Sequence, residues 1–158
     1  MGLRKNKLSV AECEAVLGQN IIGTLSLCRD GQPYAIQLEY LYREGTFYMG
    51  TYPTGRKIDY LEANDRAVFT VFRDRHSHPE MLRQGIRCYS VMAEGRVATV
   101  KLKEVATREG EKATFRLLKL TVDSLGSWQC TRKICSQAAG IDNRRILNQW
   151  VAETEAIE

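Results

Sequence analysis

The chain has 158 residues, 44% of them hydrophobic and 27% charged, and a net charge of +4. That length holds one domain with enough apolar material for a single core, and the mixture is neither that of a disordered chain nor that of a membrane-spanning one. No apolar run approaches the ~20 residues of a spanning helix, and acids and bases are interspersed without the basic patch of a nucleic-acid binder. Five cysteines without C-x-x-C spacing argue against a disulfide framework and a zinc ribbon. The basic N-terminus from Met1 to Lys7 leads into a polar, acidic stretch and not into the apolar core of a secretory signal. The expected location is the cytoplasm, with neither membrane nor nucleic acid as partner.

Ser9 to Leu17 opens with a capping serine and carries Glu12 three positions later, which predicts a short amphipathic helix. The period then changes. Asn20 to Cys28 and Pro33 to Tyr42 are β-rich runs separated by Asp30-Gly31, a strong hairpin signal. A turn at Arg43-Glu44-Gly45 leads to Thr46–Gly50, completing a three-stranded meander. Gly55 to Asn64 places Ile58 and Leu61 on one face of a short helix, and Arg66 to Arg73 resumes alternation as a fourth strand. Asp74 to Gly85, with Pro79 and both histidines, lacks a period and predicts a long loop. Ile86 to Val100 reads as a strand pair, broken or bent at Glu94-Gly95.

From Lys101 to Leu120 the positions of Leu102, Val105, Ala106, Ala113, Leu117 and Leu118 match helical spacing better than strand spacing, with Gly110 as an interruption. Asn143 to Glu155 predicts a terminal helix with Ile146, Leu147, Trp150 and Val151 on its apolar side. The expected organisation is a single domain over residues 1–158 in which 101–158 form a helical C-terminal extension. Five or six short strands with few helices between them predict a mainly β fold, an antiparallel barrel whose closure removes exposed edges.

The segment richest in chemistry is Gly50-Thr51-Tyr52-Pro53-Thr54-Gly55-Arg56-Lys57. Hydroxyls, a glycine and two adjacent cations stand where a strand gives way to a helix, so backbone N–H groups, the helix dipole and side-chain donors can converge on one anion. Arg supplies a planar fork and Lys a point charge, a pair suited to a phosphate monoester. Read alone, the same two cations are equally those of a solvated helix start.

Four motifs occur in order: Ile22-Gly23-Thr24-Leu25-Ser26, Asp30-Gly31-Gln32-Pro33-Tyr34, Gly55-Arg56-Lys57-Ile58-Asp59-Tyr60-Leu61, and Tyr89-Ser90-Val91 with Glu94-Gly95-Arg96-Val97. Together, over roughly Leu8 to Val100, they resemble the pyridoxamine 5′-phosphate oxidase-related FMN-binding split-barrel family, in its nitroimidazole-resistance-like branch. The resemblance implies a six-stranded antiparallel split β-barrel that forms a homodimer and holds FMN in clefts at the subunit interface. It implies that Arg56 and Lys57 grip the phosphate beside Gly50, Thr51 and Gly55, that Ile36, Gln37 and Leu38 lie along the isoalloxazine, and that Ser90 contacts the cofactor. The implied function is that of an FMN-dependent oxidoreductase of a small organic substrate. No catalytic residue is assigned, because a histidine common in that branch is replaced by Met49-Gly50-Thr51. A non-catalytic flavin carrier or sensor, and a haem-binding split barrel, are the competing expectations.

His76-Ser77-His78 lacks the further ligands of a metal site, and Cys130 and Cys135 lack a base or resolving partner for redox work. Tyr34, Tyr40, Tyr42, Phe47 and Tyr48 read mostly as core aromatics.

Overall fold

The computed structural model describes residues 6–74, 80, 83, 87–106, 108–130 and 143–155. Helix α1 (Val10–Gln19) starts at the expected capping box: the Glu12 carboxylate accepts from the Ser9 N–H at 2.7 Å, and the Ser9 hydroxyl accepts from the Glu12 N–H at 3.3 Å. The backbone bond first, and the hydroxyl second, hold the Glu12 carboxyl below its ordinary pKa. The box therefore stabilises the helix above the ordinary carboxylate range and loosens as pH falls and Glu12 takes up its proton.

Strands β1 (Ile22–Arg29) and β2 (Gln32–Glu39) form a hairpin through Asp30 and Gly31, at φ 50° and 75°. Two consecutive positive φ values make the turn whose twist matches paired strands, and Asp-Gly adopts it at low cost. Strands β3 (Leu41–Arg43) and β4 (Thr46–Thr51) repeat the device at Glu44 and Gly45. Helix α2 (Arg56–Ala63), β5 (Arg66–Arg73), β6 (Tyr89–Ala106), β7 (Lys112–Gln129) and α3 (Asn143–Glu155) follow.

All seven strands join one antiparallel sheet in the order β2-β1-β5-β6-β7-β4-β3. Strands β2 and β3 stand at opposite edges, yet Tyr40 alone separates them in the chain. The sheet must curl until its edges meet at that residue. No ladder joins β2 to β3 or β4, so the expected mainly β split barrel is the observed architecture, with the three-residue β3 counted as a seventh strand.

Period-two alternation sends Leu25, Leu27, Phe47, Met49, Phe69, Val71, Val91, Ala93, Leu118 and Leu120 into the barrel. At its centre the rings of Tyr40, Tyr42, Phe47 and Phe69 contact one another with centroids 4.7 to 5.2 Å apart. The Tyr40 hydroxyl donates to the Leu17 carbonyl at 2.9 Å and that of Tyr42 to the Glu14 carboxylate at 2.7 Å, fastening α1 to the barrel. Desolvation pushes both phenols above their ordinary pKa.

Three expectations are corrected. The predicted meander is not contiguous: β4 pairs with β3 and β7, because the chain crosses at Tyr40 to the far edge. Residues Lys101 to Leu120 are not helical but form the end of β6, a turn with Gly110 at φ 81°, and the start of β7. Leu118 and Leu120 alternate into the core, and Leu117 beside them creates the false helical spacing. The strand pair expected over Ile86 to Val100 is one strand, β6, from Tyr89 onward, while the bulge or close contact expected at Glu94-Gly95 is present as a register slip within it. Of Asp74 to Gly85, only Asp74 and the helical Glu80 and Arg83 are described, and His76 and His78 lie outside the described residues.

At Gly95 an added Cβ would overlap the Thr121 carbonyl and come within 3.2 Å of the Leu120 side chain. Gly95→Ala is expected to lower stability by about 3 kcal/mol by urea denaturation, whereas Gly50→Ala, where an added Cβ meets nothing within 4 Å, stays within about 0.5 kcal/mol. Ser9→Ala, by removing one half of the capping box, is expected to cost about 1 kcal/mol in the same assay.

Candidate functional site

Strand β4 ends at Thr51 and α2 begins at Arg56, and the four residues between them carry the chain to the other lip of the split. The crossing sets the Arg56 guanidinium carbon 4.7 Å from the ring centroid of Tyr34 on β2. Gly55 caps α2 at φ 111° and ψ 176°, a conformation open to glycine, and brings no side chain to the helix start. Its carbonyl accepts from the N–H groups of Ile58 at 2.8 Å and Asp59 at 3.2 Å. The N–H groups of Arg56 and Lys57 have no intrahelical acceptor, and the dipole of α2 adds to the positive potential there.

The two cations are held differently. Arg56 is exposed, donates to the Tyr60 hydroxyl at 3.0 Å and lies over the rings of both Tyr34 and Tyr60, which contact each other at 5.4 Å. The bond to Tyr60 is the main reason its guanidinium pKa is raised. An aromatic pair thus orients a planar fork toward solvent. Lys57 is only 9% exposed and has no hydrogen bond or ion pair among the described residues. Thr51, 5% exposed, likewise has no partner for its hydroxyl among them. The stem of Lys57 is covered while its ammonium, like the Thr51 hydroxyl, keeps contact with solvent, so both are open to an anion seated between these groups. A point charge, a fork, a hydroxyl and two backbone N–H groups form a donor set that fits a terminal phosphate.

The remaining predicted positions divide into two groups. Gly50 and Gly55 flank the donors and are exposed. Ile36, Gln37 and Leu38 lie on edge strand β2, beyond Tyr34, with Gln37 exposed and its neighbours half-buried. Gln37 opens onto an outer-face groove of about 560 Å³ that also includes Thr24, Thr70 and Phe72. Ser90 is not brought to the cations: its partner on β7 is Trp128, twelve residues along that strand from Arg116, the residue opposite Thr51.

Ser90 instead pairs across the sheet with Phe72 on one side and Trp128 on the other. That row identifies Trp128, left unassigned by sequence reasoning, as the aromatic neighbour of Ser90. Tyr60 was legible as an i,i+4 partner of Arg56, but Tyr34 was not, since it arrives from another strand. Tyr40, Tyr42 and Phe47 are core as expected, while Tyr34 serves Arg56 and Tyr48 is only half-buried. Among the described residues no cluster of three metal-ligating side chains occurs.

The family model described as pyridoxamine 5′-phosphate oxidase matches residues 9–133. An uncharacterised protein of Rhizobium meliloti, RA0666, is 32% identical over 64 residues, which is 40% of this chain and 42% of that relative. This chain therefore matches less than half of the relative's length. Among solved structures, an FAD-binding protein from Mesorhizobium loti is 24% identical with a TM-score of 0.59, covering 79% of this chain and 97% of its own. A protein from Bacteroides thetaiotaomicron named for 5-nitroimidazole antibiotic resistance is 17% identical with a TM-score of 0.56, covering 77% and 84%. An FAD- and haem-binding protein from Mycobacterium smegmatis is 15% identical with a TM-score of 0.59, covering 86% and 79%. At these identities the structures establish likeness of fold, and the family match over residues 9–133 establishes membership: the chain belongs to the pyridoxamine 5′-phosphate oxidase family.

Proposed function

We propose that the protein is a flavin-dependent oxidoreductase that holds FMN by its phosphate between Thr51, Arg56, Lys57 and the N-terminus of α2. The observation that carries this reading is Lys57, a residue only 9% exposed whose ammonium has no partner among the described residues, next in sequence to an exposed arginine held by two tyrosines. When bound, the flavin supplies hydride and electron transfer. The chain's contribution is to anchor the phosphate, to offer the backbone of Ile36, Gln37 and Leu38 along one edge of the ring system, and to shape the cleft. Flavin-binding proteins among the structural neighbours support the same cofactor class.

The working form in this proposal is a cytoplasmic homodimer. Ile22, Phe72, Met92 and Trp128 leave the outer sheet face apolar and 45 to 61% exposed, the character of a surface that another protein covers. A second copy on this face also accounts for Ser90, too far from the phosphate donors of its own chain. Ser90 of the partner subunit and Trp128 of the partner subunit complete the flavin cleft.

One observation favours a second reading, that of a flavin carrier or sensor. Gly50 is exposed with open space around it and offers no acid or base at the end of β4. Photometry under anaerobic conditions separates the two: bound flavin that neither NADH nor NADPH reduces supports the carrier.

The purified protein is expected to be yellow with a flavin absorption spectrum, and Arg56→Ala with Lys57→Ala together to weaken FMN binding at least about 100-fold. A colourless protein that takes up no added FMN sinks the proposal. Phe72→Glu, which sets a charge in the apolar face, is expected to shift sedimentation from dimer to monomer and to release flavin; an unchanged sedimentation coefficient with flavin retained rejects the interface.

A further inference from the structure

Beyond Thr51 the ladder between β4 and β7 ends on a pair that the sequence does not announce: Thr51 stands directly opposite Arg116. Directly opposed residues project to the same face of a sheet with Cβ atoms about 5 Å apart, and on this face Met49 and Leu118, one step back along the ladder, are buried in the core. Arg116 is thus the residue at which the inward face of β7 changes from apolar to charged. Its Nε is buried and has no hydrogen-bond partner, and no ion pair involves Arg116 among the described residues. On its other side it pairs with Leu102, which offers no charge. The nearest acid on that face of the hairpin, Glu104, is taken by Lys112 at 3.4 Å. The strand is also anchored at this point, because Tyr52 stacks on Phe115 with centroids 5.5 Å apart and planes at 25°.

Arg116 thus sets a half-buried guanidinium with no acid beside it at the end of this ladder, a charge that a bound anion can compensate through the outer nitrogens of the fork. Thr51, which faces it, also has a hydroxyl without a partner among the described residues. We propose that Arg116 is a third cation of the phosphate site, reaching from β7 across Thr51 to the same phosphate that Arg56 and Lys57 approach from α2. The inference rests on the reading of residues 51–57 as a flavin-phosphate grip and adds a clamp from the opposite lip of the split. A phosphate held from both lips is discriminated from a neutral hydroxymethyl group more strongly than one held by the helix alone. Arg116 is in this way a specificity-determining residue for FMN over riboflavin.

The test is titration of apo-protein with FMN and with riboflavin, followed by flavin fluorescence, for the wild type, Arg116→Met and Arg116→Lys. Arg116→Met is expected to weaken FMN binding by about 10- to 100-fold, to leave riboflavin binding within twofold, and to reduce the salt dependence of FMN binding; Arg116→Lys is expected to recover part of the loss. Because the Nε has no protein partner, the melting temperature of Arg116→Met without ligand is expected to be no lower than that of the wild type. FMN affinity unchanged in Arg116→Met, or FMN and riboflavin weakened equally together with a lower melting temperature, overturns the inference while leaving the Arg56 and Lys57 grip standing. If the wild type binds no flavin, inorganic phosphate is the probe. A phosphate-induced rise in melting temperature that Arg116→Met loses upholds the cation site and rejects only the flavin, and no rise in the wild type rejects both.

Discussion

The fold depends on one covalent constraint: strands that lie at opposite edges of a seven-stranded sheet are separated in the chain by Tyr40 alone. A twisted antiparallel sheet curls of its own accord, and this connection fixes how far, bringing the edges together at one end while leaving them unpaired along the seam. Tyr40 is bound from several directions. Its N–H donates to the Ile21 carbonyl at 2.9 Å, its hydroxyl donates to Leu17, and its ring packs on Phe47 and Phe69. The residue that joins the edges is also the centre of the core and the anchor of α1.

The open seam has a functional consequence. An unpaired sheet edge invites association with other strands, and here it is managed by crossing it: residues 52–55 run from one lip to α2, and Arg56 lands on Tyr34 at the other. The crossing brings the start of a helix, two cations and the Thr51 hydroxyl to one place. Lys57 and Thr51 are mostly covered, yet their polar ends have no partner among the described residues. The local structure is accordingly more consistent with a place for an anion than with an optimised apolar junction.

Legibility varied with the range of the interaction that decided each element. The capping box at Ser9 and Glu12, the Asp30-Gly31 turn and the terminal helix at Asn143–Glu155 were all readable, because each is settled by residues within four positions of one another. Residues 101–120 were misread for the opposite reason. Leu117, Leu118 and Leu120 are compatible with a helix until the ladder with β4 selects Leu118 and Leu120 for the interior. Ser90 stands in one of the four motifs, but only the strand pairing sets it apart from Thr51 and the cations of its own chain.

By itself the sequence determined the local turns and caps, the β-rich alternation of the barrel strands and the concentration of phosphate-compatible donors between Gly50 and Lys57, since these depend on backbone propensity and on residue type at short spacing. Tertiary structure alone decided which strands are neighbours, that Lys57 is buried while Arg56 is exposed, that Tyr34 orients the arginine, and that Trp128 faces Ser90 and Arg116 faces Thr51. Burial and cross-strand register are set by residues tens of positions apart, which meet only when the sheet has curled around its core.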